Sequence, residues 1–194
     1  MSESQIDDDI SKSNFTDPSL VKPRPSYNDV KNASLPPSTI CDWLCVANQI
    51  GREVKDALTA NNNTCATRIS YALNYSNSPI PKKPYTFTGS DNKEYILGAQ
   101  TMLTYLKNSY GIDPSNTIHL VSQPGNPLTL SYIQSQLQGK KGIFVMIPKD
   151  TSINGFNASG HLDLLNPDGT LNSGQSEYMF AQGSVKEIYV FILN

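Results

Sequence analysis

Hydrophobic positions follow two different rhythms along this chain. Through its first 110 residues or so they recur at helical spacing. Ile40, Trp43, Leu44 and Ala47 form one such set, with Ser38 or Thr39 placed to cap it, running on through Ile50 or breaking at Gly51. Val54, Ala57 and Leu58 form a second short set. Cys65, Ile69, Ala72 and Leu73 share one face of a third, with Thr64 or Asn63 as its cap and Asn74 as its stop. Met102, Leu103, Leu106 and Tyr110 line a fourth, over Ala99 to Tyr110, which Gly111 ends. Thr129 can cap a further short helix through Leu137, ended at Gly139.

Strand patterns dominate the rest. Tyr85 to Thr88 alternates and meets the turn residues Gly89 to Asn92, so Tyr95 to Leu97 is its expected hairpin mate. Ile118 to Val121 predicts another strand. Gly142 to Ile147 is continuously apolar, the mark of a strand covered on both faces. His161 to Leu165, Tyr178 to Phe180 and Ile188 to Leu193 complete the set. Helices first and strands afterwards predict an α+β fold with a mostly antiparallel sheet.

Composition narrows the class. The chain has 194 residues, which suits one domain with a sizeable core. Residues 1–23 are polar and aperiodic and predict a flexible N-terminal arm; residues 24–194 carry the patterned domain. A net charge of −2 without a basic cluster argues against nucleic acid as a partner. No apolar run reaches the roughly 20 residues of a membrane helix, and the acidic start lacks the basic and apolar regions of a secretory signal. Three cysteines with no histidine or cysteine at zinc spacing predict no metal site, and no cofactor is indicated. Cys41 and Cys45, four apart on an expected helix, read as core thiols of a reduced protein, and Trp43 between them reads as core.

Cys65 is the residue with chemical promise. A lone cysteine reads first as a small buried hydrophobe. In the first turn of a helix, however, it faces unpaired backbone N–H groups and the positive end of the helix dipole, which favour the nucleophilic thiolate. Of the two histidines, His119 lies in an apolar stretch and reads as structural or surface. His161 opens a strand after a glycine-containing loop, and strand alternation puts Asp163 on its face. A carboxylate so placed can hold the imidazole in one tautomer.

Four separated segments carry a resemblance. Thr64-Cys65-Ala66-Thr67-Arg68-Ile69-Ser70-Tyr71-Ala72-Leu73-Asn74 with Pro79-Ile80-Pro81 is the first; Gly89 to Ile96, leading into the Met102–Tyr110 helix, is the second. Gly139 to Val145 and Ser159 to Leu164 are the others, and Arg24 to Tyr27 matches a domain start. In this order they resemble the fourth family of type VI secretion amidase effectors, from about residue 24 to the C-terminus. The resemblance implies an NlpC-like, papain-related fold, its nucleophile at a helix N-terminus packed on the C-terminal sheet. It implies a peptidoglycan amidase that cuts between γ-D-glutamate and diaminopimelate, with Cys65 as nucleophile and His161 as general base and acid. Asp163 is the expected orienting residue, with Asn172 and Glu177 as alternatives. It also implies a cognate immunity protein, passage through the type VI apparatus and action in the periplasm of a target cell. An acyltransferase or another peptidase on the same fold, or a binding module without catalysis, remains open. The chain departs from the family where Leu165 stands in place of a frequent tryptophan, and in lacking a cysteine pair in the loop that follows.

Overall fold

The computed structural model describes residues 21–150, 158–173 and 184–194. The chain divides into two compact units, residues 1–111 and 112–194.

The first unit is mainly helical: α1 (Tyr27–Ala33), α2 (Trp43–Ile50), α3 (Arg52–Asn61), α4 (Cys65–Tyr75) and α5 (Ala99–Tyr110), with a small hairpin of β1 (Phe87–Thr88) and β2 (Glu94–Tyr95). The helix predicted from Ser38 or Thr39 begins later, because the Asp42 side chain accepts the Cys45 N–H at 2.9 Å and caps it there. The later start changes which residues are buried. Ile40 is 76% exposed, Leu44 is exposed and Trp43 only half-buried, so of the expected Ile40–Trp43–Leu44–Ala47 face Ala47 is buried, and Val46 and Ile50 complete the buried face. These join Val54 and Leu58 of α3 and Tyr95 and Leu97 in one apolar cluster.

The same late start overturns the expected pair of reduced thiols. Cys41 lies outside the helix, before its extended N-cap Asp42, and forms a disulfide with Cys45. The two Cα atoms are 5.2 Å apart, within the range a disulfide spans.

Asn74 does not stop α4, which runs to Tyr75; the left-handed residue is Asn77, at φ 59°. Asn74 is buried instead, because its amide has backbone to satisfy. Its Nδ2 donates to the Glu94 carbonyl at 2.8 Å and its Oδ1 accepts the Ile80 N–H at 2.9 Å. One turn earlier, Ser70 Oγ accepts the Ile96 N–H at 2.9 Å and donates to the Ile96 carbonyl at 3.0 Å. Two polar side chains of α4 thus satisfy the backbone of Glu94 in β2 and of Ile96 just after it as a neighbouring strand would. At the other end of the unit, the Lys22 N–H donates to the Ser109 carbonyl at 2.7 Å, and Arg24 reaches the Tyr110 and Gly111 carbonyls, each at 3.2 Å.

The second unit holds an antiparallel sheet of β3 (Thr117–Val121), β4 (Gly142–Pro148), β5 (His161–Leu165) and β6 (Val185–Ile192), in the order β3-β6-β4-β5. Every residue of β4 is buried, as its unbroken apolar run requires. The helix α6 (Leu130–Leu137), capped by Thr129, sets Ile133 and Leu137 against Phe144, Met146, Leu165, Ile188 and Val190. The expected strand at Tyr178 to Phe180 lies outside the described residues.

Candidate active site

In the first unit, Cys65 is the first residue of α4 and is buried. Its neighbours on the helix face, Ile69, Ala72 and Leu73, are buried too, as the spacing predicts. Thr64 occupies the N-cap position but its hydroxyl does not cap the helix. That hydroxyl accepts Arg68 Nε at 3.1 Å, and the side-chain carbonyl of Asn63 accepts the Cys65 N–H at 3.3 Å. The contact is long for a hydrogen bond to an amide, so this donor at the helix start is loosely held.

In the second unit, His161 opens β5, an edge strand, opposite Met146, and Asp163 lies opposite Phe144. Alternation puts both on one face, and His161 Nε2 stands 3.9 Å from Asp163 Oδ2. This separation is an ion-pair distance for a charged imidazole and too long for a hydrogen bond. Both side chains are largely buried. The carboxylate is otherwise engaged by backbone: Oδ1 accepts the Leu164 N–H at 2.7 Å and Oδ2 the Ser173 N–H at 3.0 Å. Asn172 sits in the same turn, with its backbone N–H on the Leu164 carbonyl at 2.9 Å. Glu177 lies outside the described residues.

His119 is a surface residue with a polar setting that its own stretch does not reveal. It stacks on Tyr189 with ring centroids 4.0 Å apart and reaches Glu187 Oε2 at 3.1 Å across the β3–β6 pairing.

Of the two cap candidates for the Cys65 helix, Asn63 is the one whose side chain reaches the helix start, while Arg68 was not read as a partner of it. Asn63 stands two residues before the amide it binds, where Asn side chains commonly accept backbone N–H groups. Two of the three partners of Arg68, Pro36 and Cys41, are distant in sequence, beyond any local pattern.

A helical unit with a cysteine at a helix start and an antiparallel sheet with a histidine on an edge strand define a papain-related, NlpC-like α+β fold. The chain belongs to the family described as type VI secretion system amidase effector protein 4, Tae4, whose model matches residues 61–190. Cys65, His161 and Asp163 all fall inside that match. Among solved structures, the selenomethionine variant of the Tae4/Tai4 effector–immunity system from Salmonella typhimurium is 27% identical, with a TM-score of 0.67 over 89% of this chain and 100% of that one. The Salmonella typhimurium Tae4 solved with the Tai4 immunity protein of Enterobacter cloacae is also 27% identical, with a TM-score of 0.66 over 88% of this chain and 100% of that one. The Tae4 effector of Enterobacter cloacae, at 22% identity and a TM-score of 0.64 over 90% of this chain and 100% of that one, shares the fold. A comparison with curated proteins gives no match.

Proposed function

We propose that this chain is an antibacterial amidase that hydrolyses the peptidoglycan stem peptide between γ-D-glutamate and meso-diaminopimelate. The observation that carries the reading is Cys65 at the first position of α4, inside a region that matches an amidase effector family. The helix start favours the thiolate. The Cys65 sulfur attacks the γ-glutamyl carbonyl carbon, a C–S bond forms and the carbonyl oxygen takes up negative charge. Backbone N–H groups at the start of α4 are the donors for that oxyanion. His161, having taken the thiol proton, gives it to the departing amine of diaminopimelate as the C–N bond breaks. A water then loses its proton to His161 and attacks the thioester, releasing free glutamate carboxylate and the thiol. Asp163 is the residue proposed to orient His161.

The matched structures pair Tae4 effectors with Tai4 immunity proteins, which supports a cognate immunity protein for this chain as well. The family supports delivery by the type VI apparatus, and its proposed site of action is the periplasm of a target cell. Purified sacculi, digested and analysed by mass spectrometry, test the reading. Wild type is expected to release fragments ending in a free γ-D-glutamate carboxylate, and Cys65→Ala to release none. Release of the same fragments by Cys65→Ala overturns the mechanism, and a new amide in place of the carboxylate identifies a transferase.

A further inference from the structure

We propose that Arg68 is a positioning residue for Cys65, and that through it the start of α4 responds to the oxidation state of Cys41 and Cys45. The proposal builds on the reading of Cys65 as nucleophile.

Arg68 stands three residues after Cys65 on α4, and its guanidinium is shared among three acceptors. Nε donates to Thr64 Oγ1 at 3.1 Å, Nη1 to the Pro36 carbonyl at 2.6 Å, and Nη2 to the Cys41 carbonyl. Thr64 is the N-cap of α4 and the residue directly before Cys65. One planar cation therefore ties the cap of the nucleophile's helix to the segment that ends at Cys41. The fixed fork of a guanidinium suits this task, and the single ammonium of a lysine does not.

Cys41 ends the Pro36–Cys41 segment inside the apolar cluster that holds Val46, Ala47 and Ile50 of α2, and the turn before it is sparsely bonded. Among the described backbone contacts, it is a turn in which the Ile40 and Cys41 N–H groups both reach the Pro37 carbonyl, each at 2.9 Å. Ile40 is 76% exposed, while Cys41 is buried at 3%. The disulfide to Cys45 fastens this turn to the first turn of α2. Removing that bond takes away the covalent tie between the Cys41 turn and α2 and leaves their apolar packing, so the Arg68 fork then grips a looser partner.

The switch is a two-electron step. Two thiols, on Cys41 and Cys45, lose two protons and two electrons as their S–S bond forms; a disulfide-bearing oxidant accepts them and becomes a dithiol. A thiol reductant reverses it. A chain made in a reducing compartment and used in an oxidising one would carry a relaxed α4 start until its arrival.

The test reads the Cys65 thiol itself. The full chain, oxidised or reduced with dithiothreitol and desalted anaerobically, is alkylated with iodoacetamide over a range of pH. Only the Cys65 peptide is quantified by mass spectrometry. Reduction is expected to slow Cys65 alkylation about three- to tenfold near neutral pH and to move its pH midpoint upward. Cys45→Ser should match the reduced wild type and ignore dithiothreitol. Oxidised Arg68→Gln should match it too, with no further slowing on reduction, and Arg68→Lys should not restore the wild-type rate. Circular dichroism checks that each form is folded; if the Arg68 variants are not, the reduced wild type and Cys45→Ser decide. Equal Cys65 rates in folded oxidised and reduced protein overturn the proposal. A redox-dependent Cys65 rate without amidase activity in any form sinks the amidase reading and leaves this one standing.

Discussion

The side-chain carbonyl of Asn63 accepts the backbone N–H of Cys65 at 3.3 Å. In the proposed mechanism that N–H serves the oxyanion, so in the resting enzyme Asn63 holds the place that substrate oxygen takes. A carboxylate there would bring full negative charge against both the thiolate and the oxyanion. Asn63→Asp is expected to slow Cys65 alkylation at neutral pH about tenfold, the effect of raising a thiol pKa by about one unit. Its kcat should fall at least as far. Asn63→Ala, which removes the acceptor without adding charge, should stay within about threefold of wild type. Iodoacetamide kinetics against pH, beside hydrolysis of a defined stem peptide, make the comparison. Equal behaviour of the two variants removes the charge argument.

Asp163 anchors backbone and is proposed to orient His161, and a pair of variants separates the two roles. It accepts the Leu164 and Ser173 N–H groups, and its Oδ2 lies 3.9 Å from His161 Nε2. If its charge orients and stabilises the imidazolium, Asp163→Asn should lower kcat/KM about 10- to 100-fold. Losing a nearby negative charge also disfavours the imidazolium, so the acidic limb of the pH–rate profile should move to lower pH. Asn172→Ala should leave that limb in place. The reverse outcome, with the limb moved by Asn172→Ala alone, assigns the orienting role to Asn172 and leaves Asp163 as the anchor of the Ser173 turn.

Local pattern made some elements legible and tertiary contact hid others. Ala99–Tyr110 was readable from its periodic apolar face and its terminal Gly111, and β4 from its unbroken apolar run, because burial alone dictates such sequences. Cys65 at a helix start followed from spacing and a cap. The boundary of α2 did not, since three polar residues near it could each cap and only Asp42 does. That misplacement carried with it the thiols of Cys41 and Cys45 and the burial of Trp43. Asn74 misled for a different reason: Asn is an apt helix stop, but here its amide was claimed by Glu94 and Ile80. Glu187 beside His119 belongs to a strand 68 residues away, beyond the reach of any local pattern.

Ser70 is the residue whose smallest change should cost most in the first unit. Its hydroxyl both accepts from and donates to Ile96, and Ser70 and Ile96 are fully buried. Ser70→Ala strands a backbone N–H and a carbonyl where no water replaces the hydroxyl's bonds. A loss of about 2–4 kcal/mol is expected from two such groups, read as a lowered urea midpoint. A cost near zero would mean that the Ile96 backbone finds another partner or admits water.

Glu187 predicts an acid-sensitive component of stability. Burial alone would raise its carboxyl pKa; hydrogen bonds from Tyr189, Lys186 and His119 outweigh that and hold it at about 2. In the unfolded chain an ordinary glutamate titrates near 4.3. The folded state therefore gains from the ionised form above the unfolded value, and the gain is lost as pH falls from about 4.3 toward 2. Glu187→Gln should melt lower than wild type at pH 7 by roughly 1–3 °C, the scale of a partly exposed ion pair. The difference should shrink as the pH is taken down through that window. A gap that persists at the acid end would show that shape, not charge, is what the glutamate contributes.

Gly142 opens β4 at φ 155°, and its environment separates two reasons for a glycine. An added Cβ would strike the Phe191 carbonyl oxygen of β6 and approach the Phe191 carbonyl carbon at 2.9 Å and the Ile192 Cα at 3.0 Å. These are backbone atoms of a paired strand, so they cannot swing aside as a side-chain end would. Gly142→Ala is expected to cost about 2–4 kcal/mol, from backbone strain and overpacking together. Gly139 supplies the control. Its φ is 72° and nothing lies within 4 Å of its absent Cβ, so Gly139→Ala meets left-handed strain alone, about 1–2 kcal/mol. Urea unfolding followed by circular dichroism should give the larger fall in midpoint for Gly142→Ala. Equal costs would place the effect in φ and rule out the close approach of β6 as its cause.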